Sequence, residues 1–76
     1  MKSFQQDVPC ITHGEWIRVW AGLDPWDRNR PIVEVQRIRT KDTGFSPAHQ
    51  LSPTSAKRLA DTIQDAVNHL VKETRR

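Results

Sequence analysis

The sequence predicts a small α+β domain: an antiparallel sheet of three to four strands followed by one long C-terminal amphipathic helix. Between residues 52 and 73, apolar residues recur at three- and four-residue steps, the period of a helix with one buried face. Upstream, residues 15–21 and 32–39 alternate apolar and polar side chains, as half-buried strands do. The 76 residues suffice for one domain, which we expect to span 1–76.

The C-terminal helix is predicted over residues 53–73. Ser52 suits the N-cap, and Pro53 falls at the first helical position, where a missing N–H costs no hydrogen bond. The apolar stripe consists of Ala56, Leu59, Ala60, Ile63, Ala66, Val67, Leu70 and Val71. We expect this stripe to pack on the chain's own sheet. Its spacing also resembles a coiled-coil seam, so a partner-binding helix stays open as the alternative.

Proline limits the remaining strands. Residues 1–12 are predicted to form an edge strand or a flexible segment, because Pro9 cannot donate to a ladder. Residues 41–44 (Lys-Asp-Thr-Gly) are typical of a turn. Residues 45–51 then return to the sheet as a short or edge strand containing Pro47.

The two clear strands can be paired in a register that matches aliphatic residues and opposite charges. It places Val19 opposite Val33, Ile17 opposite Val35, Arg18 opposite Glu34, Trp16 opposite Gln36, and Trp20 opposite Ile32. The alternation then defines two faces. The aliphatic face carries Ile17, Val19, Val33 and Val35, and the Trp face carries Trp16, Arg18, Trp20, Ile32, Glu34, Gln36 and Ile38. We expect the helix to cover the aliphatic face.

The Trp face is too apolar for a surface in contact with water alone. A patch of this kind usually marks an interface, so a second copy of the chain or another partner is expected to cover it, and we expect a homodimer. Alternatively, the N-terminal segment folds over the two indoles and completes a monomeric core, since tryptophan is highly buried on average.

Aromatic and basic residues suggest a binding function. The formal net charge is +3, and residues 28–41 hold five basic residues and one acid. Aromatic side chains on a sheet flanked by arginines are typical of proteins that stack single-stranded bases and contact phosphates. The predicted contact residues are Trp16, Arg18, Trp20, Trp26, Arg28, Arg30, Arg37, Arg39 and Lys41. In the plainer alternative, the indoles pack internally and the arginines protect a solvated sheet edge.

A second hypothesis assigns the same surface to a protein partner. Tryptophan and arginine are enriched among the anchors of protein interfaces. The modest net charge and the lack of a dense lysine stripe favour a regulator or inhibitor that docks on a larger protein.

Several other classes of function are disfavoured. Cys10-x-x-His13 has zinc-ligand spacing, but His49 and His69 supply no second short-spaced pair, so we expect no metal or cofactor. Residues 42–44 (Asp-Thr-Gly) have the letters of an aspartic-protease loop without the preceding apolar strand, and there is no serine-nucleophile or phosphate-loop motif. We therefore expect no enzyme. A single cysteine, no apolar leader and no membrane-spanning run lead us to expect a cytoplasmic protein.

The order of elements resembles the transcriptional positive-coactivator family of single-stranded-DNA-binding proteins. The resemblance rests on residues 32–39, on Lys41-Asp42-Thr43-Gly44, and on the helix entry Gln50-Leu51-Ser52-Pro53, and it covers roughly residues 15–71. It implies four strands and a helix, dimerisation, nucleic-acid binding and a role in transcription regulation. The Leu-Ser-Pro helix start also looks like that of many small uncharacterised proteins of actinobacteria and their phages.

Overall fold

The computed structural model describes residues 2–40 and 47–74, in which four strands precede one helix. The elements are β1 (Phe4–Pro9), β2 (Glu15–Leu23), β3 (Pro31–Arg39), β4 (His49–Leu51) and α1 (Pro53–Thr74). The strands form one antiparallel sheet in the order β1-β2-β3-β4. The predicted α+β class is confirmed, and β1 is an edge strand that ends at Pro9. The predicted turn at residues 41–44 lies outside the described residues.

The connection between β1 and β2 is a tight turn around Gly14. Gly14 has φ = 84°, a left-handed conformation that favours glycine. The Cys10 N–H donates to the Glu15 carbonyl at 3.0 Å, and the Thr40 N–H donates to the Gly14 carbonyl at 3.0 Å. The second bond ties the turn to the end of β3.

The predicted register between β2 and β3 is wrong by two residues. Val19 lies opposite Val35, Arg18 opposite Gln36, and Trp20 opposite Glu34. The strands run on to the pair Leu23 and Pro31, because the Asp24 N–H donates to the Arg30 carbonyl at 2.9 Å and closes the ladder there. A shift of two keeps every side chain on its predicted face, since successive residues alternate between faces.

Strand β1 extends both faces of the sheet. Phe4 and Val8 lie opposite Ala21 and Ile17 and therefore belong to the aliphatic face, while Asp7 lies opposite Arg18 on the Trp face. The N-terminal segment therefore lies beside β2 in the plane of the sheet. The alternative in which this segment folds over the indoles is wrong.

Helix α1 begins as predicted and packs differently from the prediction. The Ser52 hydroxyl accepts a hydrogen bond from the Ser55 N–H at 3.2 Å, so the predicted N-cap is confirmed. Among the described strands the helix touches only β3 and β4, and Ala56 is its one half-buried residue. Its apolar stripe therefore does not cover the aliphatic face, because the helix leaves the sheet from the β4 edge.

Candidate functional site

Strand β2 gives the Trp face its central row. Trp16, Arg18 and Trp20 occupy alternate positions and project from the same side of the sheet. All three side chains are half-buried. The structure thus brings together the predicted aromatic–cation–aromatic row.

The indole of Trp20 lies over Gly22, the next residue of β2 on the same face. A Cβ placed on Gly22 would lie 2.7 Å from Cζ2 and Cη2 of Trp20. Opposite Gly22 is Ile32, which is 3% exposed and is the one fully buried hydrophobic residue in the described part of the chain. The missing side chain of Gly22 therefore lets the indole lie close to the backbone.

Arg18 is held by a carboxylate on the edge strand. Its Nε and Nη2 atoms donate to the two carboxylate oxygens of Asp7 at 2.9 and 3.0 Å. The hydrogen bond from Arg18 lowers the pKa of Asp7 from its ordinary value, and the same bond raises the pKa of Arg18. The predicted partner of Arg18, Glu34, instead accepts a hydrogen bond from Nε2 of Gln50 at 3.0 Å.

An open depression of about 240 Å³ lies beside the Trp20 indole. It is lined by Gln5, Arg18, Trp20, Pro25, Glu34 and Gln36. Pro25 belongs to the connection between β2 and β3, so this connection borders the Trp face. Gln5 and Asp7 were not among the predicted site residues, because no register was assigned to β1, and Pro25 was not among them either.

The loop of residues 24–30 is built from hydrogen-bonded turns. Asp24 is 8% exposed, and its carboxylate accepts the Trp26 N–H at 2.9 Å. The Asp27 carboxylate accepts the Asn29 N–H at 3.1 Å in the same way. Aspartate side chains commonly close turns by this bond to the backbone two residues on. The loop backbone is thus fixed by its own aspartates.

Three side chains of this loop point into solvent. The Trp26 side chain is 93% exposed, and Arg28 and Arg30 are also exposed. Within the described residues, neither arginine forms an ion pair. Trp26, Arg28 and Arg30 therefore remain available to contact another molecule.

The two predicted arginines at the end of β3 lie on the other face of the sheet. Arg37 lies opposite Ile17 and Arg39 opposite Glu15, so both belong to the aliphatic face. Arg39 also forms an ion pair with Glu15 at 2.9 Å. Lys41 lies outside the described residues. Arg37 and Arg39 therefore do not join the Trp face in one basic platform.

The charges around the Trp face nearly cancel. The arginines of this face and its bordering loop are Arg18, Arg28 and Arg30, and the carboxylates are Asp7, Asp24, Asp27 and Glu34. A continuous track for phosphates needs an excess of positive charge. The described surface does not have that excess.

In the described part of the chain, no group of three or more His, Cys, Asp and Glu side chains is placed to hold a metal ion. Cys10 is a half-buried free thiol next to the β1 edge, whereas His49 lies on β4 at the opposite edge.

Across residues 2–40 and 47–74, no helix is long and apolar enough to cross a membrane.

Comparisons with known proteins give no further guide to the function. No protein-family model matches the chain, and searches of curated proteins and of solved structures found no match either. The resemblance to the positive-coactivator family stays a prediction.

Proposed function

We propose that the protein is a non-enzymatic binding module whose binding surface is the Trp face together with the loop of residues 24–30, and that its partner is another protein. The exposure of Trp26 carries this proposal. An indole that is 93% exposed on a hydrogen-bonded loop adds little to the packing of its own chain. Tryptophan and arginine are the residue types most enriched among interface anchors, and this loop presents one tryptophan and two arginines.

The balance of charge favours a protein over a nucleic acid. Arg18 is already paired with Asp7, and Glu34 adds negative charge beside the indole of Trp20. A nucleic acid would meet these carboxylates as like charges. A protein surface of mixed charge can complement both signs, and the depression beside Trp20 can receive one of its side chains.

Single-stranded nucleic acid is the second candidate, and the unpaired arginines beside Trp26 favour it. Arg28 and Arg30 could contact phosphates while Trp26 stacks on a base. The resemblance to the coactivator family supports the same candidate and would give it a role in transcription regulation. Under either candidate, we place the module in the cytoplasm, since a single cysteine offers no internal disulfide.

Site-specific cross-linking in the cells that encode the protein tests the proposal. A photo-cross-linking amino acid replaces Asn29, which keeps Trp26 intact, and the control carries it at Arg58 on the polar face of α1. We expect position 29 to capture one discrete protein that position 58 does not capture. The additional change Trp26→Ala should remove that product. Equal products from both positions, or products that persist without Trp26, would contradict a protein partner at this loop.

Fluorescence anisotropy with a labelled single-stranded oligonucleotide tests the second candidate. On our account, the protein shows no saturable binding at low salt. Binding that weakens steeply with added salt and loses about 1–3 kcal/mol in Trp26→Ala would instead establish the nucleic-acid candidate.

A further inference from the structure

The apolar stripe of α1 is exposed along the helix. Five of its large side chains are between 40% and 62% exposed: Leu59, Ile63, Val67, Leu70 and Val71. An amphipathic helix normally gains most of its stability by packing such a stripe, because isolated helices are marginal in water. Within the described residues, Ala56 is the one member of this stripe that is half-buried, and the others are exposed.

The aliphatic face of the sheet is open as well. Phe4 and Val8 are 53% and 49% exposed, and Leu23 is 39% exposed; all three lie on this face. The central residues of this face, Ile17, Val19, Val33 and Val35, are half-buried. All the large apolar residues of the described strands that are exposed therefore lie around the centre of the aliphatic face.

The dimensions of the chain set an upper bound on the size of the missing contact. The accessible surface is 6806 Å², whereas a compact monomer of this mass exposes about 4,800 Å². The radius of gyration is 15.0 Å, compared with about 11 Å for a compact domain of this length. One chain thus exposes about 2,000 Å² more than a self-contained domain would.

We propose that a second copy of the chain covers the α1 stripe and the aliphatic face together, so that the hydrophobic core of this protein forms between two chains. If each chain buries its whole excess area, the pair buries at most about 4,000 Å², and half of that still reaches the lower limit of obligate homodimers, about 2,000 Å². This inference does not depend on the identity of the partner at the Trp face.

A second copy fits these surfaces better than a charged partner would. The polar side of α1 carries Lys57, Arg58 and Lys72 against Asp61, Asp65 and Glu73, which balance in charge. Each chain also supplies both a projecting apolar helix and an open sheet face, whose apolar centre is bordered at one end by Arg37 and by the Arg39–Glu15 ion pair. A two-fold axis lets both chains cover these surfaces in one closed interface.

Light scattering combined with analytical ultracentrifugation tests the proposal on the whole chain. We expect the wild-type protein to have twice the 8.8 kDa chain mass. Ile63→Lys places a charge in the stripe, and Val19→Lys places one on the aliphatic face. Each should raise the dimer dissociation constant at least tenfold, by about 1.4 kcal/mol or more. His69→Lys adds the same charge on the polar side of α1 and should leave the dimer intact.

The thermal midpoint of the wild-type protein gives a second measurement that does not depend on the folding of any variant. The midpoint should rise across a roughly hundredfold increase in chain concentration, because association stabilises the folded state by mass action. A monomeric wild-type protein with a constant midpoint would overturn the proposal. A dimer sensitive to Ile63→Lys and insensitive to Val19→Lys would exclude the aliphatic face from the interface, which also overturns it. Open-ended assembly beyond two chains would contradict the closed interface.

Discussion

Replacing Gly22 by alanine is expected to push the Trp20 indole away from the sheet. The added Cβ would lie 2.7 Å from two ring carbons, where ordinary contacts begin near 3.4 Å, so the ring must move by most of an ångström. Overpacking of this kind costs about 1–3 kcal/mol. Alanine also lowers the conformational entropy of the unfolded chain, which stabilises the folded protein by about 0.4–1 kcal/mol. We expect a net loss of about 1 kcal/mol in the free energy of unfolding.

A double-mutant cycle isolates the predicted contact. Trp20→Leu removes the six-membered ring that carries both clashing carbons, and the next nearest atom, Cβ of Ser3, lies at an ordinary 3.5 Å. In that background, Gly22→Ala should be neutral or stabilising. The coupling energy between the two sites should therefore be about 1–3 kcal/mol.

Urea unfolding at one fixed chain concentration, followed by far-ultraviolet circular dichroism, measures all four proteins of the cycle. A fixed concentration is needed because association contributes to the apparent stability. If Gly22→Ala costs the same with Trp20 and with Leu at position 20, the indole does not occupy the space over Gly22. That result would refute the reasoning about the Trp face.

Three further predictions concern hydrogen bonds and one ion pair. Asp24→Ala leaves the Trp26 N–H without its acceptor and should lower the free energy of unfolding, measured with urea, by about 1–3 kcal/mol. Asp24→Asn keeps an acceptor and should lower it less. Equal losses in the two variants would contradict the hydrogen-bonded turn. Because the pKa of Asp7 is lowered in the folded state, its bridge to Arg18 stabilises the protein above the ordinary aspartate pKa and is lost as the pH falls through the lowered value. Asp7→Asn should remove this part of the acid dependence of the urea midpoint, and an unchanged profile would argue against the bridge. Ser52→Ala should lower the stability of the helix by about 1 kcal/mol in thermal unfolding, whereas Ser52→Asp, which keeps a cap, should not.

Local signals in the sequence predicted the elements well and their contacts less well. The cap at Ser52 and the period of the stripe are properties of neighbouring residues, so α1 was predictable. The apolar stripe indicates that one face of the helix is buried against another surface, but it does not indicate which surface that is. The expected packing of α1 on its own sheet was therefore wrong.

The predicted register between β2 and β3 was wrong for a comparable reason. Pairing Arg18 with Glu34 by charge ignored the loop, where the Asp24–Arg30 hydrogen bond closes the ladder and fixes the alignment of β2 and β3. The predicted assignment of side chains to the two faces was still correct, because a shift of two residues leaves every side chain on the same side of the sheet. The same alternation contained a signal that was not used: Arg37 and Arg39 follow Val33 and Val35 at even steps, which assigns them to the aliphatic face.

Hydrogen–deuterium exchange at several chain concentrations tests the central claim most directly. If a second copy covers the stripe and the aliphatic face, amide exchange in α1 and β1 should slow as the concentration rises, while exchange in the loop of residues 24–30 stays constant. The loop should remain unaffected because its exposed tryptophan and arginines belong to a different surface. Exchange in α1 that is independent of concentration, or protection that appears in the loop instead, would contradict the account.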